Sequence, residues 1–161
     1  MTRETIDQKS KIVLIHGMGR EISGKKPALL LSTTQIEEII HTVRIFQIPF
    51  APDYLAGACL WRKQILPVID ICSRYGFDTE ETAGDKRYIV VKSAGVIKGE
   101  KYLLQGALEI PSRIEPTELP ASSSPAKLKS SDIDKKIVKG AFVYRDTLMI
   151  IPDLANILGS K

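Results

Sequence analysis

Two similar β-hairpin stretches, 83 residues apart, constrain this chain more than any other feature. The first runs from Pro52 to Gly76, PDYLAGACLWRKQILPVIDICSRYG. It reads as an apolar run, a charged break at Arg62-Lys63-Gln64, a second apolar run, and Asp70 opening a short turn that Gly76 closes. The second runs from Ile137 to Gly159, IVKGAFVYRDTLMIIPDLANILG. Setting Gly57 on Gly140 aligns them without a gap. Ala58 falls on Ala141, Trp61 on Tyr144, Arg62 on Arg145, Asp70 on Asp153 and Gly76 on Gly159. Two β-rich runs split by a few polar residues signal a hairpin, and an internal repeat signals two similar units in one chain. Asp70 and Asp153 invite a catalytic reading, but each precedes a glycine by six residues at the end of an apolar strand. An Asp capping a short helix and a Gly closing it in the left-handed region explain both by geometry.

The chain order gives a mainly β expectation. Short strands are expected at Ile12–Ile15, Ala28–Leu31, Val43–Phe46, Tyr88–Val91 and Tyr102–Leu108, besides the two hairpins. Short helices are expected at 34–41 and 153–158. The first would start with a Thr34–Glu37 capping box, pack Ile36, Ile39 and Ile40, and leave Glu37 and Glu38 in solvent. Residues 1–10 read as a disordered lead-in, Phe77 to Asp85 as an acidic loop, and about 111–136, rich in proline and serine, as a mobile loop. Hairpin strands apolar on both faces belong to a barrel that also packs on something else. The expectation is a single domain over 11–161, with a first barrel at about 11–85 and a second at about 86–161.

Composition narrows the function. At 161 residues and 43% hydrophobic content the chain can build one domain, or two small barrels sharing a core. No apolar run reaches the ~18 residues of a membrane span, and Met1 to Lys11 is too polar for a secretory signal or an anchor, so no direct membrane insertion is expected. Cys59 and Cys72 make no disulfide framework and fit buried free thiols in the cytoplasm. A net charge of +4, with lysines scattered or gathered at Lys127 to Lys139, lacks the dense basic face that nucleic acid requires. There is no phosphate-binding Walker loop and no dinucleotide glycine fingerprint. Two histidines and two cysteines at unrelated spacings make no zinc site. No cofactor and no metal are expected.

One motif argues for an enzyme. Ile12-Val13-Leu14-Ile15-His16-Gly17-Met18-Gly19 looks like the first strand and oxyanion turn of an α/β-hydrolase. Such an enzyme also needs a G-x-S-x-G elbow with Asp and then His after it. No G-x-S-x-G occurs, and no histidine follows His41. A glycine turn after a strand suffices.

The chain resembles the CheW-like adaptors of bacterial chemosensory arrays. The resemblance is carried by Ile36-Glu37-Glu38-Ile39, Ile48-Pro49, Pro52, Tyr54-Leu55-Ala56-Gly57 and Arg62. It continues through Ile65-Leu66-Pro67-Val68-Ile69-Asp70-Ile71, Val138-Lys139-Gly140 and Asp153-Leu154. It implies two five-stranded SH3-like barrels around a joint core and no catalytic residues. It also implies two partners: the regulatory domain of a CheA-type histidine kinase and the cytoplasmic tip of a methyl-accepting chemoreceptor. The receptor-binding positions would be Ile36, Glu38, Ile39, Gly57 and Arg62, in a groove between the barrels. Ile36 and Ile39 would share one apolar helical face, Gly57 would allow close backbone approach, and Arg62 would bond a carboxylate or orient Glu38. Kinase binding is expected at an exposed apolar edge of the first barrel, around Leu14, Leu29, Leu30 and Leu31, residues that would serve equally as core. The chain departs from the family at Leu60, Trp61 and Lys63, where asparagine, an aliphatic residue and glycine are expected around the hairpin arginine. A kinase-regulating SH3-like module without a receptor is the neighbouring alternative.

Overall fold

The computed structural model describes residues 11–19, 21–77, 86–111, 113–120 and 122–159. The expected lead-in at 1–10 and most of the acidic loop lie outside these. The strands are β1 (Ile12–Ile15), β2 (Lys26–Ser32), β3 (Ile36–Ile40), β4 (Leu55–Trp61), β5 (Gln64–Asp70), β6 (Arg87–Ile97), β7 (Glu100–Ile110), β8 (Ile114–Thr117), β9 (Ser124–Pro125), β10 (Val138–Tyr144) and β11 (Thr147–Pro152). Helix α1 (Ile71–Tyr75) follows β5, and α2 (Leu154–Gly159) follows β11.

The sequence repeat reappears in the hydrogen bonding. The Ser73 N–H donates to Asp70 Oδ1 at 3.2 Å, and 83 residues later the Asn156 N–H donates to Asp153 Oδ1 at 3.1 Å. Both aspartates are therefore helix caps, and Gly76, at φ 74°, closes α1 in the left-handed region. The Asp70 N–H bonds the Tyr54 carbonyl at 2.8 Å and the Asp153 N–H the Ile137 carbonyl at 3.0 Å. The β4–β5 ladder slips between Leu55 and Gly57, and the β10–β11 ladder slips between Val138 and Gly140, one bulge per unit.

The two sheets do not divide the chain as the expected barrel boundaries do. The five-stranded sheet has order β3-β6-β7-β5-β4, and the six-stranded sheet β8-β1-β2-β11-β10-β9. Each unit runs strand, strand, strand, hairpin, helix, with the short β9 added before the second hairpin. The first two strands of each unit, however, join the other unit's hairpin. β2 lies parallel to β11, Lys26 opposite Thr147, and β7 lies parallel to β5, Ala107 opposite Val68. Parallel neighbours need a long crossover, and here each crossover is the remainder of a unit. The segment expected to be a mobile loop carries β8, which covers the free edge of β1, and β9, which pairs with β10. Pro116 in β8 cannot donate outward, which suits an edge strand.

Side-chain alternation then builds three apolar layers. Ile15, Leu29, Leu31 and Ile150 of one sheet meet Ile39, Ile69, Ile89, Val91 and Leu108 of the other in a shared core. The opposite face of the five-stranded sheet gathers Ile40, Cys59, Trp61, Leu66, Val68 and Val90. The opposite face of the six-stranded sheet gathers Ile12, Leu14, Leu30 and Met149. Strands apolar on both faces are thus covered on both, except at the β4–β5 tip, where Leu60 and Ile65 are exposed.

Two local expectations are corrected. Residues 34–41 are not a helix: Thr33–Gln35 form one 3-10 turn and Ile36–Ile40 form β3. The capping box is Ser32 with Gln35, not Thr34 with Glu37; the Ser32 N–H donates to Gln35 Oε1 at 3.1 Å. Val43–Phe46 is not a strand either, and only Phe46 pairs, with Ala58 of β4. The hydrolase topology is also overturned, because that fold is a parallel sheet with crossover helices. Among the described residues every ladder but two is antiparallel. Because each sheet takes strands from both units, residues 1–80 and 81–161 expressed separately should each lack a cooperative unfolding transition. Mixing them should restore one, as circular dichroism would show; cooperative melting of either half alone would contradict the strand exchange.

Candidate functional site

The site begins at the tip of the β4–β5 hairpin. A two-residue type I′ loop, which matches strand twist, needs φ > 0 at both positions. Arg62 and Lys63 adopt 46° and 63° without glycine, a strain on the order of 1 kcal/mol each. Trp61, the last residue of β4, points into the barrel and is 3% exposed. A buried indole N–H needs an acceptor. It finds Glu38 of β3, with Trp61 Nε1 donating to Oε2 at 2.5 Å. Strands β3 and β4 are the two edges of the five-stranded sheet, so this bond closes the curled sheet across its seam. The Arg62 guanidinium lies over the indole, its Cζ 4.5 Å from the ring centroid. Arg145 repeats the stack on Tyr144 at 5.2 Å.

Of the five expected receptor positions, the structure brings Glu38 and Arg62 together, with Trp61 between them. Glu38 is 9% exposed, not in solvent. It accepts the Trp61 indole N–H. Ile36 and Ile39 sit on the opposite face of β3, in or against the shared core. Gly57 lies down the same strand from Arg62, roughly 16 Å away at ~3.3 Å per residue. Its lack of a side chain is used within the chain: at φ 150° a Cβ would stand 2.3 Å from the Phe46 carbonyl oxygen and 2.7 Å from Ile45 Cγ2. The Phe46 N–H and carbonyl each bond Ala58 at 2.8 Å. Trp61 is the residue sequence reasoning missed, and a lone tryptophan in a strand was the available signal.

The expected kinase-binding leucines are not an exposed edge. Leu29 and Leu31 are fully buried in the shared core, and Leu14 and Leu30, each 7% exposed, line the six-stranded sheet's other cluster. Their strands are interior to that sheet.

The HGMG turn is likewise structural. His16 Nε2 sits 2.6 Å from Glu115 Oε2, tying β1 to β8, and Met18 is buried in the shared core. The cavity beside the turn, about 280 Å³, is lined by His16, Glu21, Lys26 and Arg113 among others, with no hydroxyl or thiol group among the described residues of its lining. No group of three metal-ligating side chains occurs among the described residues.

The sequence matches the family model for the CheW-like domain over residues 17–161. The chain belongs to the CheW-like family. Its fold is also that of the scaffolding protein TtCheW from Thermoanaerobacter tengcongensis, whose crystal structure superposes with a TM-score of 0.63. The match covers 94% of each chain at 23% identity. No curated protein matches the chain with significance. The family's fold is mainly β with two SH3-like barrels, here the five- and six-stranded sheets around their shared core.

Gly57→Ala should destabilise the protein by at least about 2 kcal/mol, since both conformation and space are wrong for a methyl group. In a domain of this size that lowers Tm by roughly 4–8 °C; an unchanged melting curve would mean that Phe46 does not press on Gly57. Burial pushes the Cys59 thiol up, and burial together with the Asp70 and Glu109 charges pushes Cys72 up to about 12. The thiolate is the reactive form. At pH 8 neither thiol of the native protein should react with an aromatic disulfide reagent, and both should react on unfolding.

Proposed function

We propose that this protein is a non-catalytic chemosensory adaptor, working in the cytoplasm, that couples a methyl-accepting chemoreceptor tip to the regulatory domain of a CheA-type histidine kinase. The family match over residues 17–161 carries this reading. The site supports it. Arg62 stands at an exposed hairpin tip, and among the described residues no carboxylate pairs with it. An arginine so placed suits a carboxylate on a receptor helix. No helix among the described residues is long and apolar enough to cross a membrane.

The receptor contact is assigned to Arg62 and its surroundings at the seam. Glu38 acts from beneath, Gly57 lets Phe46 close on β4, and Ile36 and Ile39 hold β3 from the core side. The kinase contact is assigned to the six-stranded sheet around Leu14 and Leu30, which support that surface from within; Leu29 and Leu31 belong to the core. A receptor-independent kinase regulator is the second reading, favoured by Leu60, Trp61 and Lys63 at the hairpin tip.

Arg62→Ala should weaken binding to a soluble receptor-tip fragment at least tenfold while leaving Tm and kinase binding nearly unchanged. A charge-assisted contact that is desolvated at an interface is worth about 2–5 kcal/mol, and one at a rim almost nothing. Equal receptor affinity for variant and wild type would remove Arg62 from the site. Kinase binding without any receptor binding by the wild type would establish the second reading, and turnover of generic esters would overturn both.

A further inference from the structure

We propose that Trp61 is a positioning residue for receptor binding. The face of its indole is a platform that holds the Arg62 guanidinium for a partner's carboxylate, and its N–H separately fastens Glu38 across the barrel seam. This rests on the adaptor reading and goes further, because it assigns the work of the hairpin tip to a side chain that touches no partner. The two contacts use different parts of one ring. The N–H, in the ring plane, donates to Glu38 at 2.5 Å, while the π face lies under Arg62 at 4.5 Å from Cζ. Trp61 itself is buried, so it cannot be a contact residue.

The platform matters because of what surrounds Arg62. Long side chains at a turn lose rotamer freedom when they bind, and pre-ordering one removes part of that cost. A guanidinium stacked by its flat face keeps its in-plane N–H donors available to a carboxylate. The neighbouring tip residue, Lys63, is exposed and adds to the positive field. Arg62 is held by its own neighbour, not by Glu38, so its charge is not spent within the chain.

The two roles come apart by substitution. Trp61→Phe keeps a ring face and removes the N–H; Trp61→Leu removes both and supplies the aliphatic residue the family carries there. Calorimetric titration with a soluble, dimeric receptor-tip helical hairpin would use wild type, both variants, Arg62→Ala, and Trp61→Leu combined with Arg62→Ala, all below their melting temperatures. Trp61→Phe is expected to melt lower but bind within about twofold of wild type. Trp61→Leu is expected to lose about fivefold in affinity, the size of an exposed cation–π contact. In the Arg62→Ala background it should lose nothing further, because the platform acts only through Arg62. An equal loss from Trp61→Leu with and without Arg62, or a loss from Trp61→Phe as large as from Trp61→Leu, would overturn the proposal.

A wild type that does not bind the receptor tip would instead overturn the adaptor reading and, with it, the partner named here. The platform is then judged on the free protein by nuclear magnetic resonance. Ring-current displacement of the Arg62 methylene protons in wild type and Trp61→Phe, lost in Trp61→Leu, supports it. Undisplaced methylene resonances in wild type overturn it.

Discussion

The structure depends on two short parallel ladders, β2 against β11 and β5 against β7. They are the contacts through which each unit lends two strands to the other's hairpin. Without them the six-stranded sheet would split between β2 and β11 and the five-stranded sheet between β7 and β5. The shared core would then lose strands from both sides. Such pairing is non-local, and loops must close before the contacts reward it. During synthesis β1 and β2, apolar on both faces, are complete long before β11 exists. The amino-terminal strands must therefore wait for the carboxyl-terminal hairpin, a state in which apolar edges are open to the wrong partner.

What could be read from the sequence was local. The hairpins and both aspartate caps follow from turn chemistry and an 83-residue offset, and the hydrogen bonds reproduce that offset atom for atom. Strand exchange could not be read, because identical strands in identical order are compatible with separate or exchanged barrels. The error at 34–41 has a specific cause. Ile36 and Ile39 are three apart, which imitates a helical face, yet a bulge between Ile36 and Glu38 shifts the strand's alternation and turns both toward the shared core. The same bulge turns Glu38 inward, so a residue expected in solvent becomes the acceptor that the indole requires.

The candidate site is proposed from resemblance more than from physics. Arg62 lies at the tip of the β4–β5 hairpin. Glu38 and Gly57 matter for reasons internal to the chain: one holds a seam, the other makes room for Phe46. Residues that look like a contact surface in a linear motif can therefore be the scaffold beneath it. At this hairpin tip the family's expected glycine is replaced by Lys63 in a left-handed conformation.

Trp61 is the chain's single tryptophan. Its bond to Glu38 closes one barrel and its face carries the exposed arginine. The intrinsic emission of this protein excited at the red edge of its absorption therefore originates at one place, between a carboxylate and a guanidinium. The spectrum acts as a local optical gauge: seam opening would shift it toward that of a hydrated indole, and a partner drawing the guanidinium away would change its intensity without that shift.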